Sequence, residues 1–443
     1  MTTTTHVYRL SPEIRDQVRR AGAGAEGSAV PNELQMNAAH IPSDEIRVLL
    51  LENIHPDAVT VLEGAGFQVE TTSGSLSEAE LIERVKGVHL LGIRSNTKIT
   101  EKVLDAADSL LAIGAFCIGT NQIDLGAATS RGVTVFNAPY SNTRSVVELV
   151  IGEIISLARR LPRKNKNMHD GIWDKSATGS HEVRGRKLGI VGYGNIGSQL
   201  SVVAEALGFA VSFYDTADKL ALGNARKVDT LDQLLAENDV ITLHVDGRPG
   251  NAGLFGAAEF AKMKDRALFL NLSRGMVVDH HALREHVLSG HIAGAAVDVF
   301  PEEPKNRGDE FVSDLRGLDN VILTPHVGGS TEEAQIHIGN FVAGKFKAFV
   351  EDGSTSLAVN MPTLDLPERE GSRRIVHTHQ NTPGVLAAIN QVLADHGANI
   401  EGQFLGTRGD VGYVITDIGC EIEPAVIKEL AAMSQTIRLR VLS

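Results

Sequence analysis

The stretch KLGIVGYGNIG, residues 187–197, decides the fold. Its first five residues read as a short apolar strand, the next six fit the pattern Gly-x-Gly-x-x-Gly, and SQLSVVAEALG (198–208) continues as a helix. Between a strand and a helix that pattern marks a dinucleotide site, whereas alone it would mark only a turn. Gly192 permits the tight turn, Gly194 lets a pyrophosphate approach the backbone, and Gly197 allows the helix to pack closely on the strand. Tyr193, Asn195 and Ile196 complete the turn, and the helix N-terminus faces the phosphates. Asp215 closes the following strand, AVSFYD, where a carboxylate binds the adenosine ribose and repels a 2′-phosphate. NAD is therefore expected rather than NADP.

Downstream, DVITLHV, ALFLNLS, IAGAAVDVF and NVILTPH continue the series as short, nearly all-apolar runs. Such runs suit a parallel sheet covered by helices on both faces. Upstream, a second alternation starts at Ile46: strand IRVLLLE, helix Pro56 to Ala65, strand FQVETT, helix Ser77 to Val85, strand VHLLGIRS. A long amphipathic helix is expected from Asn142 or Thr143 to Leu161, stopped by Pro162. Residues 1–44, rich in Ala, Gly and Thr without periodicity, read as a flexible extension, and Gly353 to Gly371 as a linker. Residues 373–443 follow the order βαββαβ, which is ferredoxin-like.

The 443 residues are too many for one core. A net charge of −13 argues against a nucleic-acid surface. One stretch differs: between Arg159 and Lys187 nine basic residues face three acidic ones, a patch suited to an anionic substrate or simply to solvent. The two cysteines, Cys117 and Cys420, read as core thiols without a disulfide framework, which suits the cytoplasm. No apolar run is long enough for a membrane helix, no secretory leader is visible, and no metal site is expected.

Three residues carry the chemistry. Arg274 in NLSRG, Glu303 in DVFPEEP and His326 in TPHVGGS each follow a strand, on the sheet edge where α/β enzymes hold their ligands. Hydride removal from a hydroxyl carbon needs a base for the hydroxyl proton, and histidine accepts and returns it near neutral pH. A carboxylate steadies its protonated form, and a guanidinium grips a substrate carboxylate at two points. Singly, each has a plain reading as a surface charge, half of an acidic pair, or one of sixteen histidines; their joint position after the nucleotide turn favours catalysis.

At these residues the sequence resembles the D-isomer-specific 2-hydroxyacid dehydrogenases. The resemblance runs from about Ile46 to Ser443 and is carried by GYGNIG, NLSRG, DVFPEEP and TPHVGGST, and more narrowly by GIRSNTKIT, FCIGTNQIDL and NAPYSNTRSVVELVIGEII. It implies a smaller flavodoxin-like substrate domain in two pieces, 45–141 and 329–365, around a Rossmann-like doubly wound nucleotide domain at 142–328. A ferredoxin-like ACT regulatory domain follows at 371–443. It further implies His326 as acid/base, Glu303 as its partner, Arg274 on the substrate carboxylate, and Asp298 on the nicotinamide carboxamide. Arg94 and Ser95 would hold substrate, and Asn142 would close the cleft. Trp173 would pack on a partner subunit and Lys175 would reach the neighbour's active site.

In the ACT domain, His379 and Asn381 of HQNTPGVL, with Asn399 from a partner chain, would bind L-serine as a feedback inhibitor. The implied substrate is a phosphorylated 2-hydroxy acid, 3-phospho-D-glycerate, and the implied assembly a homotetramer. The sequence departs from the pattern at Asn96, where an extra Arg is common, at Ser73, where some carry a Lys, and at Ala115 in place of Cys. Relatives acting on 2-oxoglutarate, glyoxylate or hydroxypyruvate remain alternatives, as does an NAD-sensing corepressor, which the ACT unit and the acidic charge disfavour.

Overall fold

The protein is described by a computed structural model covering residues 4–8, 38–304, 308–366, 373–419 and 422–442. It forms two compact units: Met1–Pro139 with Ile336–Ser443, and Tyr140–Gln335.

The first unit opens with β1 (Thr4–Tyr8) and β2 (Ala38–Pro42). Five parallel strands follow: β3 (Arg47–Leu50), β4 (Gln68–Thr71), β5 (Leu90–Ile93), β6 (Ala112–Ala115) and β7 (Thr134–Asn137). Their spatial order, β4-β3-β5-β6-β7, is that of a flavodoxin-like sheet. Every residue of β5 and β6 is buried, as expected where helices cover both faces. One side is closed by the helix Glu332–Asp352, whose Val342, Phe346 and Phe349 join Leu50, Phe116 and Phe136 in one core.

The second unit holds β8 (Lys187–Val191), β9 (Ala210–Tyr214), β10 (Arg226–Lys227), β11 (Val240–Leu243), β12 (Ala267–Asn271), β13 (Ile292–Val297) and β14 (Val321–Leu323). They pair in parallel in the order β10-β9-β8-β11-β12-β13-β14, a Rossmann-like sheet with a seventh strand. The chain switches direction between β8 and β11, which fixes where a ligand crevice opens.

The remaining strands are β15 (Arg373–Gln380), β16 (Ile400–Arg408), β17 (Val411–Ile418) and β18 (Thr436–Leu442), antiparallel in the order β16-β17-β15-β18, with helices Val385–Asp395 and Pro424–Ala432 on one face. The other face is tied into the first unit by buried arginines. Arg438 donates to Leu110 O at 2.6 Å, and Arg440 lies 4.2 Å above the Phe349 ring while donating to Phe349 O at 2.7 Å.

Four sequence expectations are corrected. Pro162 does not stop the long helix: Thr143–Ala158 ends where Arg160 turns left-handed (φ 55°), and Pro162 sits in the first turn of a new helix, Leu161–His169, where its missing N–H costs nothing. The stretch 1–44 is not wholly irregular, since β1 and β2 extend the ACT-type sheet beyond β18; residues 9–37 lie outside the described ones. The stretch after Gly353 is not simply a linker: Ser354, Thr355, Asn360 and Met361 are buried, and Asn360 Oδ1 accepts the Val135 N–H at 2.8 Å. Residues 367–372, including Gly371 at the end of the expected linker, lie outside the described ones. Cys117 is half-buried rather than core, and Cys420 is likewise outside. Among the described residues no helix is long and apolar enough to cross a membrane, and no His/Cys/Asp/Glu group is placed to hold a metal.

Candidate active site

The turn after β8 is built around two glycines. Gly192 (φ 91°) lies against the backbone of His244, whose oxygen would stand 2.5 Å from any Cβ there. Gly194 has nothing within 4 Å of the corresponding position, so space opens directly above its backbone. It precedes the helix Asn195–Ala206, which no side chain caps, leaving first-turn N–H groups available to an anion. Asp215 directly follows β9 with its carboxylate fixed, Oδ2 accepting from Tyr193 N and Oδ1 from Ala217 N, both at 2.8 Å. These features fit a dinucleotide pyrophosphate and its ribose. Tyr193 serves differently: its ring is buried, stacked 3.6 Å from Phe213, and its hydroxyl meets Ser201 Oγ at 2.7 Å, so its side chain is a core strut.

On the same edge, three loops bring the chemistry together. His326 follows β14 in a left-handed conformation (φ 54°), its N–H donating to Asp298 O at 2.8 Å. Its Nδ1 lies 2.9 Å from Glu303 Oε2. A carboxylate only accepts, so Nδ1 carries the hydrogen and Nε2 is left as the base. The Glu303 bond, working against burial, raises the His326 pKa above its usual value. Burial pushes the Glu303 carboxyl up, but the His326 bond and charge, the Phe300 N–H and Arg274 together hold it below the ordinary range. Arg274 opens the turn Gly275–Val277, its Nη1 donating to Ser273 O at 2.7 Å. Gly275 lets this turn abut Phe300, whose backbone fills the space a Cβ would take, so the Arg274 and Glu303 loops are locked together.

Asp298, at the end of β13, anchors the His326 loop. Its carboxylate accepts from Thr324 Oγ1 at 2.6 Å and from Val327 N and Gly328 N at 2.8 Å each. Asn142 stands at the N-terminus of the helix Thr143–Ala158 without a side-chain capping bond, its amide against Gly329 and its Oδ1 buried without a partner. Lys175 and Trp173 lie on an exposed segment, with Trp173 74% exposed beside exposed Ile172 and Met168.

In the other unit, Arg94 and Ser95 follow β5, and the Arg94 side chain has no ion-pair partner among the described residues. Their loop hangs on a residue that sequence reading missed. Glu52, buried at the end of β3, accepts the N–H groups of Arg94 (3.1 Å), Asn96 (3.0 Å) and Thr97 (2.9 Å). A carboxylate closing the apolar run VLLL (48–51) was the available signal. Glu153 was also missed; it sits at core spacing with Val146, Val150 and Leu157, and both carboxyl oxygens are buried without a partner.

In the ACT-type sheet His379 is buried, with Nδ1 on Gln380 O at 2.7 Å and Nε2 unpartnered. Asn381 is exposed, its Nδ2 donating to Gly409 O at 2.9 Å. Asn399 precedes β16, which starts opposite Ile418, whereas His379 pairs with Gly412. The length of strand between those points separates Asn399 from His379 by about 20 Å within one chain.

Comparison with known proteins gives the family. Residues 151–328 match the model of the D-isomer specific 2-hydroxyacid dehydrogenase NAD binding domain, and 375–438 the AHAS small subunit-like ACT domain. The chain is 48% identical over 407 residues to D-3-phosphoglycerate dehydrogenase of Haemophilus influenzae, covering 92% of this chain and 99% of that one. It is 49% identical over 410 residues to that of Escherichia coli K12, covering 92% and 100%. Among solved structures, D-lactate dehydrogenase of Aquifex aeolicus complexed with NAD and lactic acid aligns with a TM-score of 0.62 at 26% identity, covering 71% of this chain and 100% of that one. The chain belongs to the D-isomer-specific 2-hydroxyacid dehydrogenases, in the branch of that family formed by the D-3-phosphoglycerate dehydrogenases. It is an NAD-dependent dehydrogenase with an ACT domain.

Proposed function

We propose that the protein oxidises 3-phospho-D-glycerate to 3-phosphohydroxypyruvate, the first step of L-serine biosynthesis, in the cytoplasm. The observation that carries the reading is the His326–Glu303 pair at the sheet edge, with Nε2 left as the base. NAD, bound on Gly192–Gly197 and Asp215, supplies the hydride acceptor. His326 Nε2 takes the hydroxyl proton, Glu303 stabilises the resulting imidazolium, and Arg274 holds the carboxylate beside the reacting carbon. Asp298 holds the nicotinamide carboxamide while anchoring the loop, and Arg94, Ser95, Asn142 and a neighbour's Lys175 enclose the phosphorylated substrate.

The functional domains are 45–141 with 329–365 for substrate, 142–328 for nucleotide and 371–443 for regulation. The exposed apolar cluster at Met168, Ile172 and Trp173 supports one interface of a homotetramer, and pairing of ACT domains forms another. L-serine binds there between His379 and Asn381 of one chain and Asn399 of a second; the separation of these residues within one chain supports that division.

The test compares NADH oxidation with 3-phosphohydroxypyruvate, 2-oxoglutarate, glyoxylate and hydroxypyruvate, with and without L-serine. Fastest turnover of the phosphorylated acid, inhibited by serine, is expected. Preference for another acid would overturn the substrate assignment, and indifference to serine the regulatory one.

A further inference from the structure

The second unit has a cavity of about 490 Å³ on the side away from the chemistry. Its lining includes Arg186 and Arg266, immediately before β8 and β12, together with Asp239 before β11 and Asn320 before β14. These are the beginnings of the parallel strands, whereas Gly192, Arg274, Asp298 and His326 all lie past strand ends.

The charge there is unbalanced. Arg160, Arg163, Arg186, Lys264 and Arg266 face Asp239, Asp265 and Asp319. Asp239 is already engaged, with Lys264 and with the Lys187 N–H at 2.9 Å, while Asp265 and Asp319 are exposed to solvent and have only longer contacts, to His291 at 3.6 Å and Lys166 at 3.9 Å. Arg160 donates to Thr178 O at 3.0 Å. Arg163, Arg186 and Arg266 form no ion pair or side-chain hydrogen bond among the described residues, although Arg186 lies in the field of Asp239 and Arg163 in that of Asp174. The His181 ring stands at the same place: desolvation, and then the positive charges of Arg186 and Arg266, disfavour its protonation. Like charges gathered around a concavity raise the energy of the empty site and lower that of an anion entering it. Arg266 is moreover held in a left-handed conformation (φ 62°), with its N–H on His291 O at 2.6 Å, at a backbone cost that only its surroundings maintain.

We propose that this cavity is a second anion site, which takes a small ligand carrying linked phosphate groups between the Arg186 and Arg266 guanidinium groups, with His181 as a third contact. Guanidinium suits phosphate oxygens because its planar donors meet them two at a time. An overall charge of −13 confines attraction to this patch and so to a small ion rather than a nucleic acid. The ligand's charge also reverses the balance at His181, so binding draws a proton onto the ring.

The probe is inorganic pyrophosphate, titrated calorimetrically into the full chain saturated with NADH so that the nucleotide turn is filled. One pyrophosphate per chain at submillimolar affinity is expected, weakened about tenfold in Arg186→Gln and again in Arg266→Gln. NADH affinity should stay unchanged and the melting temperature should not fall in either, since neither side chain holds a partner in the fold and its removal relieves like-charge repulsion. Titration in buffers of different ionisation enthalpy should show proton uptake that disappears in His181→Asn. Absence of binding, equal affinity in the arginine variants, or sulfate binding as tightly as pyrophosphate at matched ionic strength would each overturn the site.

Discussion

His326 Nδ1 and Glu303 Oε2 stand 2.9 Å apart, and the other Glu303 oxygen accepts the Phe300 N–H at 3.1 Å, so the carboxylate is clamped before it steadies the ring. Oxidation needs neutral His326, so its rate should rise with pH through the raised pKa, while reduction should fall through the same value. Glu303→Gln removes the cause of the rise: the acid limb of kcat/KM for oxidation should move to lower pH, with a loss of roughly 100-fold at the optimum. His326→Ala should abolish turnover and leave NADH binding intact. Steady-state pH profiles decide it, and a limb that stays in place would refute the pairing.

Two glycine substitutions separate folding from cofactor binding. Gly194→Ala meets nothing in the protein and Gly194 has an ordinary φ of −83°, so the melting temperature should not change. NADH affinity should nonetheless fall by about tenfold or more, because the methyl enters the space of the pyrophosphate. Gly192→Ala, pressed on His244 O, should lower both affinity and stability.

Glu52 is tested through substrate affinity. Glu52→Gln leaves one acceptor oxygen where three N–H groups converge, and hydrogen bonds to a charged acceptor contribute about 2 kcal/mol each. The KM for the hydroxy acid should rise about tenfold with the NADH dissociation constant unchanged. Equal loss in both would mean that Glu52 serves only folding.

Glu153 makes stability depend on pH. Burial, and secondarily the charge of Asp298, raises its pKa from 4.5 to about 8. The folded protein then holds a proton that the unfolded chain releases, so this stabilisation is complete below pH 4.5 and is lost as pH climbs towards 8. The upper bound is about 5 kcal/mol. In Glu153→Gln the fall in melting temperature between pH 5 and pH 8 should shrink; the same slope in both proteins would contradict the assignment.

The effector site is tested by mixing. His379→Ala and Asn399→Ala should each be insensitive to L-serine alone. Refolded together, they should recover partial inhibition, because some pairs then contain one intact composite site. No recovery at any ratio would place the site within a single chain.

The nucleotide sheet was legible because KLGIVGYGNIG couples strand, turn and helix in eleven residues, and all-apolar strands leave few alternatives. The three loops bearing Arg274, Glu303 and His326 were legible for the same reason, each lying just past a strand. What stayed hidden depends on contacts distant in sequence. Glu52 serves a loop more than 40 residues away, and the β1–β18 pairing joins the two ends of the chain. The helix break at Arg160 was hidden for a local reason: Pro162 is tolerated both after a helix and at the start of one, and only the left-handed residue decides.

The tether from Glu52 acts on the backbone of Arg94, Asn96 and Thr97 and asks nothing of their side chains. The loop's course is therefore set from behind, independently of the residues it displays in front. Asn96 is held by its N–H alone, so a different side chain could stand there without rebuilding the frame. Acceptance of new hydroxy acids becomes a matter of swapping displayed groups on a fixed mount, so substrate preference can drift while fold and cofactor grip stay as they are.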